Sequence, residues 1–361
     1  MDFGLSQEQV LLADTVGRYL ADNCPGSRVR TVMESESGHD GDLWRGLMEL
    51  GLGGIVVPEE FGGLGLEMLD LAIVAEELGY ACTPGPFLAS QMAGVALAAG
   101  DNGELKERWL PLLASGEAIG TVAVCETGER WDLDGLQTVA ADDGLSGSKP
   151  LVPYASVADF TIVAASGPDG PGLWLVERGA VGVEAKGLKV NDMTRRLDAV
   201  ELKQAAGERV GGDEAFAKAR DAGLVMLAAD AFGGSRRCLE MARDYALERE
   251  QFGQVIGAFQ AVKHQLANMV SELEPARSLY WYAAHAYDRI PEAGPRHAAL
   301  AKARLCDIFD RTARDSTELH GGIGFTWEFD LQLWFRRSIF DRSFLGDSSY
   351  HRARAADLAG W

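Results

Sequence analysis

Tyr245-Ala246-Leu247-Glu248-Arg249-Glu250-Gln251-Phe252-Gly253-Gln254, with Ile256-Gly257-Ala258-Phe259-Gln260 just after it, is the segment from which the organisation of this 361-residue chain is best read. At its downstream end, Phe259, Val262, Leu266, Met269, Val270 and Leu273 fall at i, +3, +7, +10, +11 and +14, one face of an amphipathic helix. Leu305, Ile308, Phe309, Thr312 and Ala313 trace a second such face, so the chain after about residue 213 reads as helical. Upstream the texture differs. Thr121-Val122-Ala123-Val124, Phe160-Thr161-Ile162-Val163 and Leu173-Trp174-Leu175-Val176 are short β-branched runs, punctuated by Asp142-Asp143-Gly144 and Gly167-Pro168-Asp169-Gly170. Residues 1–118 return to helix-compatible stretches, 69–78 and 89–99 among them, between Gly- and Pro-bearing turns. A contiguous β block between two helical blocks predicts an α+β fold with segregated domains, 1–118, 119–212 and 213–361, rather than a doubly wound sheet.

Composition narrows the function classes. The hydrophobic fraction of 47% and charged fraction of 24% are those of a packed globular protein. With 54 acidic against 34 basic residues the formal charge is −20, which opposes a general attraction to nucleic acid or an anionic membrane, so an anionic ligand must be held locally. No run reaches the roughly 20 apolar residues that cross a bilayer, and Met1-Asp2-Phe3-Gly4-Leu5-Ser6-Gln7 lacks the basic start of a secretory signal. The expected compartment is the cytosol. The five cysteines, Cys24, Cys82, Cys125, Cys238 and Cys306, are odd in number and form no CxxC pair, which predicts free buried thiols and no metal site. No Gly-x-Gly-x-x-Gly follows a strand, so a Rossmann nucleotide site is not indicated.

Three segments, in order, resemble the acyl-CoA dehydrogenase family: Pro58-Glu59-Glu60-Phe61-Gly62-Gly63-Leu64-Gly65, the 245–260 stretch with its Arg-x-x-Phe-Gly and later Gln, and His320-Gly321-Gly322-Ile323-Gly324-Phe325. The resemblance implies an N-terminal helical domain, a middle β-barrel or sheet domain and a C-terminal four-helix bundle. It also implies FAD as cofactor, an acyl-CoA substrate and electron-transfer flavoprotein as electron acceptor. In that family the second and third segments reach across a subunit interface to the adenosine diphosphate end of a neighbour's flavin. Carried over, the cofactor-side residues are Arg249, Gln251, Phe252, Gln260, Glu318, Gly321 and Gly322. The chemistry agrees: Arg249 offers a guanidinium fork to a pyrophosphate, and Gly321 and Gly322 leave backbone amides unobstructed. The alternative is that Arg249 pairs with a surface acid and the glycines merely cap the helix ending at His320. Glu318 departs from the family, which often has an amide there; a carboxylate would repel a phosphate unless turned away or protonated.

Other positions lack what the resemblance leads one to expect. Desaturation of an acyl-CoA needs a carboxylate within hydrogen-bond reach of the α-proton. Aligning Ser343-Phe344-Leu345-Gly346-Asp347-Ser348-Ser349-Tyr350-His351-Arg352 with the family loop puts Leu345 where that Glu belongs. The alternative location in some members, 26 residues before Arg249, is Gly223. Asp347 and Asp221 each lie two residues from those points, and Asp347 is a candidate base or, alternatively, a cap for the following helix. In the β block the family's Trp-Ile-Thr, which meets the flavin ring, is replaced by Leu151-Val152-Pro153, and its Thr-Glu-Pro-Gly-like turn by Cys125-Glu126-Thr127-Gly128. Proline has no amide hydrogen to donate. Diphosphate-side residues kept and ring-side residues lost predict a subunit that lends its 249 segment to a homologous partner. The resemblance then narrows to the α2β2 heteromers of actinobacterial steroid degradation. A self-sufficient homotetramer using Asp347, and a non-catalytic scaffold, are the alternatives.

Overall fold

The computed structural model describes residues 4–361, so the Met1-Asp2-Phe3 part of the N-terminal reading lies outside the described residues. Helices α1 (Gln7–Asn23), α2 (Gly26–Glu34), α3 (Gly41–Glu49), α4 (Met68–Tyr80), α5 (Phe87–Ala99) and α6 (Gly103–Ser115) come first. Eight strands follow: β1 (Gly120–Ala123), β2 (Val139–Ala141), β3 (Gly144–Pro153), β4 (Phe160–Gly167), β5 (Gly170–Glu177), β6 (Val183–Gly187), β7 (Leu197–Ala205) and β8 (Glu208–Gly211). Then come α7 (Asp213–Glu248), a two-stranded hairpin of β9 (Glu250–Gln251) and β10 (Gln254–Val255), α8 (Gln260–Arg289), α9 (Gly294–His320), α10 (Leu331–Ser343) and α11 (Ser348–Asp357). The α+β class and the helix, sheet, helix order read from the sequence are both present. All five cysteines are free and buried.

The chain forms two compact units. One comprises residues 31–71 and 84–223. Its sheet runs β6-β7-β3-β2-β4-β5-β8, with β1 parallel to β4 at one side. One face of the sheet closes over Val152, Val163, Trp174, Val176, Val200 and Leu202, and α5, buried from Phe87 to Leu97, packs on β1. The register between β3 and β7 slips between Lys149 and Val152, a bulge at Pro150 and Leu151. Proline cannot donate to the ladder and sits where pairing is already broken.

The other unit comprises Met1–Arg30, of which residues 4–30 are described, with 72–83 and 224–361. Helix α9 packs against α8, α10 and α11. Its apolar stripe, Leu305, Ile308, Phe309 and Ala313, is buried throughout. Helices α4 and α7 cross backbone to backbone: a Cβ on Gly233 would lie 1.9 Å from the Glu76 carbonyl oxygen, so only glycine permits the approach. Beside that crossing Arg236 pairs with Glu76 at 2.6 Å and Glu77 at 3.0 Å. The stripe on α8 behaves differently. Met269 and Leu273 are buried, but Val262 and Leu266 are half-buried and Val270 is exposed, so the first turns of α8 keep an apolar face that their own unit does not cover. Among the described residues no helix is long and apolar enough to cross a membrane.

Candidate functional site

The 249 segment is a β-hairpin projecting from the end of α7. The Arg249 amide donates to the Tyr245 carbonyl at 2.8 Å, and Ile256 N–H closes the hairpin on the Arg249 carbonyl at 2.7 Å. Glu250 and Gln251 pair with Val255 and Gln254 across the loop residues Phe252 (φ 54°) and Gly253 (φ 79°). Two successive positive φ angles give the turn whose twist matches a tight hairpin. Phenylalanine is an unfavourable choice there, and Phe252 is 93% exposed, its ring touching Phe259 edge-on at 6.1 Å. Arg249 is exposed, and its guanidinium makes no hydrogen bond or ion pair among the described residues. Gln260 is the exposed first residue of α8, separated from Arg249 by the hairpin rather than continuous with its helix. Phe259, the N-cap of α8, offers no side-chain cap, leaving the first amides of a 30-residue helix available beside Arg249. The Gln251 amide donates to the Glu250 carbonyl at 2.8 Å.

Gly321 ends α9 at φ 62°, ψ −139°, a conformation open only to glycine. Gly322 is different: it has ordinary φ, and a Cβ there would meet nothing within 4 Å. The chain itself does not require glycine at 322, which fits an external group approaching the backbone. Glu318, one turn earlier, is exposed, and burial together with Glu318 pushes the neighbouring Asp315 carboxyl up. His320 faces inward, its ring stacked on Tyr245 at 4.5 Å, which ties the end of α9 to the end of α7. Phe325, 77% exposed, extends the apolar surface of the turn.

The loop that should carry a base is fully built without one. Leu345 is buried at φ 62° and Gly346 follows at φ 101° against the Tyr350 ring. Two groups hold this backbone through three hydrogen bonds. Buried Lys302 donates to the carbonyl oxygens of Arg342, at 2.8 Å, and of Gly346. The His351 Nε2–H donates to the Leu345 carbonyl at 2.9 Å. Burial pushes the Lys302 ammonium below its ordinary value. Asp347 is exposed, and its carboxylate caps α11 by accepting from Tyr350 N–H at 2.8 Å. In the other unit Gly223 lies inside α7, not at its start, and buried Asp221 pairs with Arg220 at 3.0 Å.

Lys149 on β3 and Glu126 in the turn after β1 form a buried ion pair at 2.7 Å, their side chains 0% and 2% exposed. Glu126 also accepts from Thr138 N–H at 3.1 Å. Burial pushes its carboxyl up, but Lys149 and Thr138 outweigh that and hold it below its usual value; burial lowers the Lys149 ammonium. The pair fastens the 126 turn to the strand carrying Leu151, which is half-buried in the bulge, and Pro153, which is buried. The Pro153 carbonyl accepts from the Thr121 hydroxyl; neither Leu151 nor Pro153 has a side-chain donor for a ring, and Pro153 has no amide hydrogen either. Cys125, in place of a hydroxyl residue, is pushed up to about 12 by burial. The sequence shows Glu126 in its turn without its partner, Lys149, and assigns Lys302 no role. An ionisable residue inside a strand or on an apolar helix face was the available signal.

Known proteins share both sequence and fold with the chain. Residues 6–117 match the model of the acyl-CoA dehydrogenase N-terminal domain and residues 213–359 that of the C-terminal domain. Acyl-CoA dehydrogenase IpdE2 of Mycolicibacterium smegmatis is 33% identical over 95% of this chain and 96% of its own. A variant of the Tcur3481-Tcur3483 steroid ACAD superposes with TM-score 0.91 at 32% identity, covering 98% of each chain. The ChsE4-ChsE5 complex from Mycobacterium tuberculosis gives 0.90 at 28%, covering 100% of this chain and 99% of that one. Agreement of sequence and fold over nearly the whole length shows that the chain belongs to the acyl-CoA dehydrogenase family, oxidoreductases acting on CH–CH bonds.

Proposed function

We propose that this chain is the base-lacking subunit of a heteromeric, FAD-dependent acyl-CoA dehydrogenase, with domains 1–118, 119–212 and 213–361. In this reading it lends Arg249, Gln251, Phe252, Gln260, Gly321 and Gly322 to the diphosphate of an FAD bound by a homologous subunit that carries the catalytic carboxylate. One observation carries the reading. Arg249 and the Gly321-Gly322 turn are presented outward, the guanidinium with no partner among the described residues, whereas the base position is a buried leucine. An unpaired guanidinium, an uncapped helix start and a glycine with open space beside it suit a pyrophosphate. Leu151 and Pro153 do not suit a flavin ring, so one site per pair of unlike subunits is expected.

FAD, when bound, supplies the hydride acceptor for α,β-desaturation of an acyl-CoA. This chain's part is to bind and orient: Arg249 and the amides of the Gly turn fix the anionic end. Phe252 and Phe325 present apolar surface toward the partner. The likeness to steroid ACAD chains supports a steroid-derived CoA thioester as substrate. Electron-transfer flavoprotein is the electron acceptor in this reading, and the compartment is the cytosol. Glu318 turns outward at the surface, where solvent screening reduces its repulsion of a phosphate.

The test is flavin stoichiometry. Purified alone, the chain should be colourless. Co-expressed with its sister chain, it should give a yellow α2β2 complex with one flavin per unlike pair. A homotetramer carrying one flavin per chain and oxidising acyl-CoA would sink the proposal.

A further inference from the structure

We propose that His320 is a positioning residue, whose ring clamps the Arg249 hairpin and the Gly321-Gly322 turn into one preformed diphosphate cradle. The proposal deepens the function proposed above and rests on it. Arg249 lies on the segment after α7 and Gly321 on the segment after α9; the Ser316 hydroxyl donates to the Cys238 carbonyl at 3.0 Å farther back along the two helices, and at their ends the His320 ring makes the contact. The His320 ring stacks on Tyr245 at 4.5 Å and 25°, and is backed by Phe329 at 4.8 Å. Tyr245 is one turn before Arg249, and its carbonyl accepts the Arg249 amide at 2.8 Å. His320 immediately precedes Gly321. A shift of this ring therefore moves both sets of donors.

The hydrogen bonding indicates a neutral, fixed ring. His320 Nδ1–H donates to the Ser316 carbonyl at 2.7 Å, which leaves Nε2 as an acceptor. That nitrogen is buried without a partner, and burial pushes the imidazole below its ordinary value. An aromatic hydrocarbon would fill the same space with no unmet acceptor, so the stack on Tyr245 is what joins the two segments, and the Nδ1 bond sets the ring's tautomer. The exposed donors gain from such orientation because a cradle assembled before the ligand arrives loses less entropy on binding.

The experiment titrates FAD into flavin-stripped assembled complex carrying His320→Ala, His320→Phe, Arg249→Ala or Arg249→Ala with His320→Ala. His320→Ala should weaken FAD binding on the order of tenfold, and His320→Phe, which keeps the stack, should recover most of it. The double variant should bind little worse than Arg249→Ala, because both changes disable one cradle. A residue that merely stabilises the bundle would lower the unfolding temperature and give additive losses. Unaltered FAD affinity in His320→Ala, or full additivity, overturns the positioning role. Arg249→Ala separates the two ideas: if it leaves FAD binding unchanged, the diphosphate reading falls and this proposal with it. Loss in Arg249→Ala with none in His320→Ala overturns only the role of His320.

Discussion

Replacing Arg249 by alanine should separate the stability of this chain from its hold on a cofactor. The guanidinium is exposed and has no partner among the described residues, so its removal breaks no contact in the folded chain. Surface changes of that kind stay within about 0.5 kcal/mol, roughly 2 °C or less in unfolding temperature for domains of this size. The ligand side is different. A charge-assisted hydrogen bond to a phosphate contributes about 1.5–3 kcal/mol, and every 1.4 kcal/mol is about tenfold, so FAD affinity of the complex should fall by roughly 10- to 150-fold. Arg249→Lys keeps the charge but loses the planar fork and should fall between the two. The assay is titration of FAD into flavin-stripped complex, followed by visible absorbance, with thermal unfolding of the same samples. Wild-type affinity in Arg249→Ala would refute the reasoning, and so would a large fall in unfolding temperature, which would mean that the side chain has a structural partner.

Three further outcomes are expected. Leu345→Glu should not create a second working site, because Leu151 and Pro153 still lack the aromatic ring and hydroxyl that would meet a flavin ring; a doubling of flavin content and turnover per tetramer would end the half-site reading. Asp347→Asn keeps the cap on Tyr350 N–H while removing the proton acceptor, so activity of the complex and its stability should both stay near wild type; loss of turnover would make Asp347 the base. Lys149→Met leaves the Glu126 carboxylate buried and unpaired, costing about 3–5 kcal/mol in urea unfolding, and Lys149→Met with Glu126→Leu should recover most of it. The folded Glu126 value is depressed, so its stabilisation is present above the unfolded value of about 4.3 and is lost as pH falls through the lower folded value. The double variant should therefore lose less stability than wild type on acidification below about pH 4; equal acid sensitivity would contradict the assignment.

The alternation of Thr121, Phe160 and Leu173 runs with Gly-bearing turns, and the seven-residue recurrence through Phe259 and Leu266, sufficed to place sheet between helices. Those periods are local and are complete within a window of about a dozen residues. The leucine at the proposed base position is legible from the resemblance and the sequence together. Counting along one loop puts Leu345 in place of a carboxylate, and no folding can make leucine accept a proton. What only the tertiary structure decided involves residues far apart in the chain. Lys149 meets Glu126 because β3 passes the 126 turn, and the β6-β7-β3-β2-β4-β5-β8 order follows from long-range pairings that no window contains. His320 read as the last residue of a helix, and became the link between two segments only when the ends of α7 and α9 brought its ring against Tyr245. Chain-local chemistry names the groups present, and packing between distant segments decides which of them meet.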